Sequence, residues 1–232
     1  KRIGSIDKLF QNQILFIKKL EIIYRKIRST KYNRYEKETA LRFFIGKKLI
    51  ALFPMKHPLY PDIICKGIEN NSILTFKSTQ MPMKWNFNCN NSTNKTGIIF
   101  KYGDDLRQDE FCLNFIQYLN DLWLDRCLNL EIVTYKVLPI GECAEFIELV
   151  EAQSLSSILK NNENSIIKHL HHLASTNRES IDTIKERFLK SSAGYSVLTF
   201  LLGVGDRHLD NLMIDCKGRF FHIDYAFIFG SD

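Results

Sequence analysis

An apolar run that halts at Gly203-Val204-Gly205, with Asp206, Arg207, His208, Asp210 and Asn211 crowded into the next six positions, limits what this chain can build. Two short β-like segments then flank a tight turn at Cys216-Lys217-Gly218, and Asp224 follows thirteen positions after Asn211. Such a layout sets Asp206, His208, Asn211 and Asp224 at the ends of neighbouring strands. Asn and Asp oxygens suit Mg²⁺, a hard cation that takes few protein ligands and fills its remaining positions with water and phosphate. Asn211 and Asp224 are the candidate pair. Any one of these residues alone reads as an Asx-turn or a surface ion pair. Their joint spacing points to phosphoryl transfer.

The chain has 232 residues, enough for one large domain or two lobes around a sizeable core, and its 45% apolar and 12% aromatic content is that of a globular protein. No run of eighteen apolar residues occurs, and Lys1-Arg2-Ile3-Gly4 does not begin a signal peptide, so a soluble intracellular chain is expected. Its six cysteines show no Cys-x-x-Cys spacing, which argues against a zinc site or a disulfide framework. Charge is uneven. Residues 1–56 hold fifteen Lys/Arg against four Asp/Glu, a net of +11, and residues 57–232 carry −5. That basic face reads first as solvated helix surface, with an anionic lipid or acidic partner as the alternative. It lacks the aromatic interleaving of a nucleic-acid module, so no nucleic-acid partner is expected.

From Ser5 to about Arg28, Leu9, Ile14, Ile17, Leu20, Ile23, Tyr24 and Ile27 recur at helical spacing. A second helix is expected from about Tyr35 to Phe53, with Pro54 ending it. Pro58 and Pro61 mark an extended link. Residues 62–102 then read as four short strands, Ile63-Ile64, Ser72–Phe76, Lys84–Phe87 and Gly97–Tyr102, with a variable hairpin tip around Asn88–Lys95. Between the second and third strands, the glycine-free turn Phe76-Lys77-Ser78-Thr79-Gln80-Met81-Pro82 offers the hydroxyls of Ser78 and Thr79 to phosphate, or is an ordinary hairpin turn.

Lys101 ends the apolar strand Ile98-Ile99-Phe100, and a lysine there needs an anionic partner. Nucleotide phosphates would serve, with Asp109 at the head of the next helix to hold the ammonium. That helix is expected from about Arg107 to Cys127, its apolar stripe including Phe111, Leu113, Ile116, Leu122 and Trp123. Ile132–Leu138 and Glu145–Val150 complete what reads as a mixed sheet. Beyond residue 150 the chain turns helical, with Ser154 as an N-cap for Leu155–Lys160 and helices near Ile166–Leu173 and Ile181–Leu202. The whole is α+β: basic helices over 1–56, a strand-rich lobe over 57–150 and a helical lobe over 151–232. His169, His171 and His172 have no carboxylate or cysteine at metal-binding spacing and read as surface histidines.

Ile99-Phe100-Lys101-Tyr102-Gly103-Asp104-Asp105-Leu106-Arg107-Gln108-Asp109, Ser192-Ala193-Gly194-Tyr195 and Gly203-Val204-Gly205-Asp206-Arg207-His208-Leu209-Asp210-Asn211-Leu212 resemble the phosphatidylinositol 3-kinases. The form of the last is similar to class III, the vacuolar-sorting type. Leu209-Asp210 disfavours the related protein kinases. The resemblance covers roughly residues 60–232 and implies a two-lobed, protein-kinase-like lipid kinase fold using ATP and Mg²⁺, with Mn²⁺ as a substitute. It implies that Lys101 grips the ATP phosphates, that Asp109 lies near it and that Ser78 and Thr79 sit in the covering loop. It also implies that Glu148 and Val150 bind adenine through backbone groups, that Tyr135 lines the pocket and that Asn211 and Asp224 hold the metal. Asp206, Arg207 and His208 would form the catalytic Asp-Arg-His motif, with Asp206 or His208 taking the proton of the inositol 3-hydroxyl. The implied setting is cytoplasmic, peripheral to endosomal, vacuolar or autophagic membranes, on a phosphatidylinositol surface. Implied partners are a regulatory protein-kinase-like subunit and coiled-coil proteins.

Two departures stand out. Asp224-Tyr225-Ala226 replaces the family's Asp-Phe-Gly, and alanine would be strained if φ there were positive. The sequence also ends at Asp232, where the family's activation loop begins, as expected of a fragment or a shortened product. A catalytically inactive nucleotide-binding or scaffolding remnant is the competing reading.

Overall fold

The computed structural model describes residues 8–78, 80–89, 97–103, 107–141 and 143–230. Thr79, Asp104, Asp105 and the hairpin tip at 90–96 lie outside the described residues. By internal contacts the chain forms two compact units, Lys1–Leu106 with Lys136–Leu149, and Arg107–Tyr135 with Val150–Asp232. The basic lead-in therefore folds with the strands, and residues 107–135 fold with the later helices. The chain crosses between units at Leu149/Val150, within the segment expected to carry the adenine-binding backbone.

In the first unit, α1 (Lys8–Arg28) buries Phe16, Leu20, Ile23, Tyr24 and Ile27, spaced three and four apart. Ile14, expected in the stripe, is 44% exposed, because Phe16 rather than Ile14 faces the strands. α2 (Arg34–Lys48) begins at a capping box in which Asn33 accepts from Glu36 N–H and Glu36 accepts from Asn33 N–H. It stops earlier than Pro54 alone suggests, giving way to a 3₁₀ turn at Ile50–Leu52.

The unit's strands are β1 (Met55–Lys56), β2 (Ile64–Ile68), β3 (Leu74–Thr75), β4 (Met83–Cys89), β5 (Gly97–Tyr102), β6 (Val137–Pro139) and β7 (Ala144–Glu148). Their order is β1-β2-β4-β5-β7-β6, with β3 pairing β4. Every pairing is antiparallel, so the expected mixed sheet is corrected to an antiparallel one. Of the stretch expected as a strand from Ile132, the part that forms one is β6, Val137–Pro139. Trp85, Phe87, Phe100 and Phe146 from the sheet and Phe16 and Tyr24 from α1 form an aromatic core with ring centroids 5.4–6.5 Å apart.

The second unit opens with α3 (Arg107–Asp125), whose buried face is Asp109, Cys112, Leu113 and Ile116. Phe111 is 56% exposed, so the expected stripe is rotated about the axis. β8 (Ala152–Ser154) leads into α4 (Leu155–Asn161), capped by Ser154 as expected. α5 (Ile166–Asn177), α6 (Ile181–Leu202), β9 (Leu212–Asp215) and β10 (Phe220–His222) follow. The three strands pair as β10-β9-β8. Leu155, Ile158, Leu170, Leu173, Ile184 and Ile214 form the core of this unit. His169 is 3% exposed, which corrects the surface reading: it faces inward from α5, and burial, aided by His172, lowers its pKa.

Candidate active site

Segment 203–211 owes its path to the way α6 ends. Gly203 caps the helix in the left-handed conformation (φ 52°, ψ 48°), with its N–H and that of Val204 on the carbonyls of Phe200 and Thr199. A Cβ there would lie 3.2 Å from Phe229 Cα, so glycine lets the chain after Asp224 pass this close without its backbone having to give way. Gly205 N–H then donates to Phe227 O at 2.9 Å, and Ile223 N–H to Asn211 O at 3.0 Å. The two polar segments are thus laid side by side.

Arg207 ties them together. Its Nε donates to Gly205 O at 2.6 Å, its Nη1 to Ile223 O at 3.0 Å and its Nη2 to Asp224 O. Expected as a catalytic residue, Arg207 has its donors on backbone carbonyls and fixes the shape of the site. His222, 7% exposed and stacked on Tyr195 at 5.2 Å, is held neutral: burial, with Arg207 adding, pushes its pKa down to about 4.

Asp206 and His208 are about half exposed, and His208 Nε2 stands 3.9 Å from Asp206 Oδ2. Asp206 has φ 46°, a left-handed conformation that aspartate tolerates better than most residues. His208 Nδ1 accepts from Asp210 N–H at 3.2 Å, so its neutral form carries the proton on Nε2, on the side of Asp206. Asn211 is 7% exposed and donates Nδ2–H to Asp206 O at 3.0 Å, which leaves Oδ1 as the oxygen to offer a cation. Asp224 is half-buried; its Oδ1 accepts from Ala226 N–H at 3.3 Å. An amide oxygen and a carboxylate on adjoining segments are the kind of hard oxygen donors that Mg²⁺ takes. Among the described residues no group of three or more His, Cys, Asp or Glu could hold a metal.

Asp109 and Gln108, at the head of α3, seize the residues after Asp224. Asp109, 5% exposed, accepts from Tyr225 N–H at 2.8 Å. Gln108 Nε2 donates to Tyr225 O at 2.6 Å and to Ala226 O at 2.9 Å. Gln108 was not singled out from sequence; an amide beside an acidic residue in a helix's first turn was the available signal. The Tyr225 hydroxyl, an addition relative to the family's phenylalanine, donates to His222 O at 3.2 Å. Burial, with Tyr195 and Tyr135 contributing, raises that phenol well above its ordinary range. The strain expected at Ala226 is not found: among positive-φ residues the segment has Asp224 at 62°, and Ala226 is not one of them.

The other expected residues fall as follows. Lys101 lies on β5 in register with Glu145, a 2% exposed carboxylate, so the two side chains share one face of the sheet. Glu148 closes β7, its N–H on Lys136 O at 2.8 Å and its Oε2 accepting Lys136 N–H at 3.1 Å. Tyr135, 8% exposed, packs edge-on to Phe221 at 6.3 Å in the second unit. Ser78 is exposed in the β3–β4 turn, and its hydroxyl accepts from Gln80 N–H at 3.3 Å.

Comparison with known proteins agrees. The family model "Phosphatidylinositol 3- and 4-kinase" matches residues 95–232. "Phosphatidylinositol 3-kinase VPS34" of Arabidopsis thaliana is 36% identical over 216 residues, 90% of this chain and 26% of that protein. "Phosphatidylinositol 3-kinase pik3" of Schizosaccharomyces pombe is 33% identical, covering 98% of this chain and 29% of its own length. Mouse "Phosphatidylinositol 3-kinase C2 domain-containing subunit gamma" is 37% identical over 75% of this chain and 12% of its own. The chain spans about a quarter of the length of the first relatives it matches. By the family match, the chain belongs to the phosphatidylinositol 3- and 4-kinases, with their α+β, protein-kinase-like fold.

Proposed function

We propose that this chain is the ATP-handling part of a phosphatidylinositol 3-kinase, which moves the γ-phosphoryl group of ATP to the inositol 3-hydroxyl. The observation that carries the reading is the pair of ties on Ile223–Ala226: Arg207 binds Ile223 and Asp224 to segment 203–211, and Gln108 and Asp109 bind Tyr225 and Ala226 to the head of α3. It holds Asp206, His208, Asn211 and Asp224 together before any substrate arrives, which is where phosphoryl transfer gains most.

Each group then has a role. Asn211 Oδ1 and the Asp224 carboxylate would hold Mg²⁺, or Mn²⁺ in its place; the ion supplies charge neutralisation on the phosphates. Lys101 would grip the phosphates, with Ser78 and Thr79 in the covering turn. Glu148 and Val150 would bind adenine through backbone groups, and Tyr135 would line the pocket. Because the neutral His208 carries its proton on Nε2, Asp206 is the acceptor facing the 3-hydroxyl, and His208 donates a hydrogen bond to the transferring group.

In the full-length protein, Asp206→Asn should lower turnover on phosphatidylinositol vesicles by about a thousandfold while His208→Gln lowers it by about tenfold. Equal losses would show that the roles are not divided this way. The inactive-remnant reading leaned partly on strain at Ala226, which is not there. The class III resemblance of 203–212 would put the work on endosomal, vacuolar or autophagic membranes, with a regulatory protein-kinase-like subunit and coiled-coil partners. Among the described residues no helix is long and apolar enough to cross a membrane.

A further inference from the structure

The turn 76–82 contains no glycine, yet Met81 adopts φ 49°, a conformation that a side chain with a Cβ disfavours. Such a residue keeps its shape only where its surroundings impose it. Part of the hold is internal: Phe76 N–H donates to Pro82 O at 2.8 Å and Met81 N–H to Ser78 O at 3.0 Å. The rest comes from α1, more than fifty residues earlier. The hydroxyl of Tyr24 is shared between the carbonyls of Gln80 and Met81, the latter at 3.1 Å. Arg28 donates Nη2–H to Gln80 Oε1 at 2.9 Å and Nη1–H to Tyr102 O at 3.1 Å.

Those contacts knot three segments. Tyr102 directly follows Lys101, and the Tyr24 ring packs on Phe100 and Tyr102 at 5.4 and 5.8 Å. Gly103 completes the knot: at φ 122°, a Cβ there would lie 2.4 Å from Gln80 Oε1 and 3.0 Å from Arg28 Nη1. The strand leading into the same turn is gripped by α2. Glu38, 9% exposed, accepts from Thr75 N–H at 2.9 Å and from the Thr75 hydroxyl at 2.8 Å, and Arg42 donates to Ile73 O.

We infer that Tyr24 and Arg28 are positioning residues of the phosphate site: helix α1 sets the turn 76–82 and the end of β5, so that Ser78 and Lys101 stand ready for ATP. The inference rests on the reading of this turn as the cover of the phosphates. It makes the basic lead-in part of the nucleotide machinery. Neither side chain touches the nucleotide in this account; both act through Gln80, Met81 and Tyr102.

The test uses the full-length protein and two probes, Mg-ATP and adenosine, which lacks phosphate. Tyr24→Phe removes one hydroxyl and keeps the buried ring, and Arg28→Ala removes the knot's donor. Each should weaken Mg-ATP binding by about tenfold, the factor expected for loss of one such hydrogen bond, and leave adenosine binding unchanged. Arg28→Lys should recover part of the loss. Gln80→Ala should reproduce the Arg28→Ala effect and add little to it in the double variant. Ser78→Glu, which sets a negative charge on the exposed turn, controls for the underlying reading. If Ser78→Glu leaves Mg-ATP affinity unchanged, the turn does not meet phosphate and that reading falls. If Ser78→Glu weakens Mg-ATP but Tyr24→Phe and Arg28→Ala do not, the inference alone is overturned. Parallel losses for Mg-ATP and adenosine, or a lower melting temperature with unchanged affinities, would reduce both residues to a purely structural role and overturn it as well.

Discussion

Segment 203–211 takes its shape chiefly from groups close to it in the chain: the Gly203 cap, the Asn211–Asp206 bond five residues apart and the reach of Arg207 over 16 and 17 residues. The turn 76–82 has ties of its own, from Phe76 to Pro82 and from Met81 to Ser78, and is held as well from α1, 52 to 57 residues earlier. Both regions are assigned to phosphate chemistry, but in 203–211 the tying side chains Arg207 and Asn211 belong to the segment itself, whereas Tyr24 and Arg28, which tie the turn, belong to a helix. The contrast explains why a catalytic segment can be recognised from a dozen residues, whereas the turn has no signature of its own. It also separates two kinds of damage. A lesion in 203–211 should strike turnover, and one in the helices that hold 76–82 should strike nucleotide affinity.

The largest break in this contrast should come from Arg207→Ala. Losing three bonds to carbonyls, each with a charged donor, should cost about 3 kcal/mol or more of stability and lower kcat on lipid about a hundredfold. Mg-ATP affinity should change little; steady-state kinetics with calorimetric melting would check it, and an intact kcat would mean that the segment keeps its shape without the tie.

Next in size is Glu38→Ala, which strips two hydrogen bonds from Thr75 and should cost about 2 kcal/mol. Here KM for ATP should rise several-fold at constant kcat, the reverse of the Arg207 pattern. Burial alone would raise the Glu38 pKa, but the Thr75 N–H, the Thr75 hydroxyl and Arg34 bring it below 4.5. A depressed folded pKa means that its stabilisation is present above the ordinary carboxylate range and is lost as pH falls through the lower folded value. The variant should therefore lack that step in an acid titration followed by hydrogen exchange at Thr75.

Smallest should be Ala226→Gly. Since positive φ sits at Asp224 and not at Ala226, the glycine relieves nothing, and turnover should stay within about twofold while stability drops by about 0.5 kcal/mol from added freedom of the unfolded chain. A large gain in turnover would restore the view that the Asp-Tyr-Ala form impairs the site.

What could be read without coordinates follows the range of the interactions. α6 begins and ends where Ser180 and Gly203 place it, β5 spans the expected residues, and Ser154 caps α4, because caps and turns are settled within four residues. The order of Asp206, His208, Asn211 and Asp224 was legible for the same reason. β8 was not, since three residues become a strand only when β9 pairs with them. The burial of His169 and Glu38 was equally hidden, because it depends on what packs opposite.

By itself the sequence determined the α+β class, most of the element types and the order of Asp206, His208, Asn211 and Asp224, all written in short-range spacing. Only the tertiary structure decided that Arg207 spends its guanidinium on carbonyls, that Asp109 answers Tyr225, and that Tyr24 and Arg28 reach the turn at 80–81. Apart from Arg207 Nε on Gly205 O, those bonds join residues 16 to 116 positions apart, and no local pattern can announce a donor whose acceptor is brought to it by the fold.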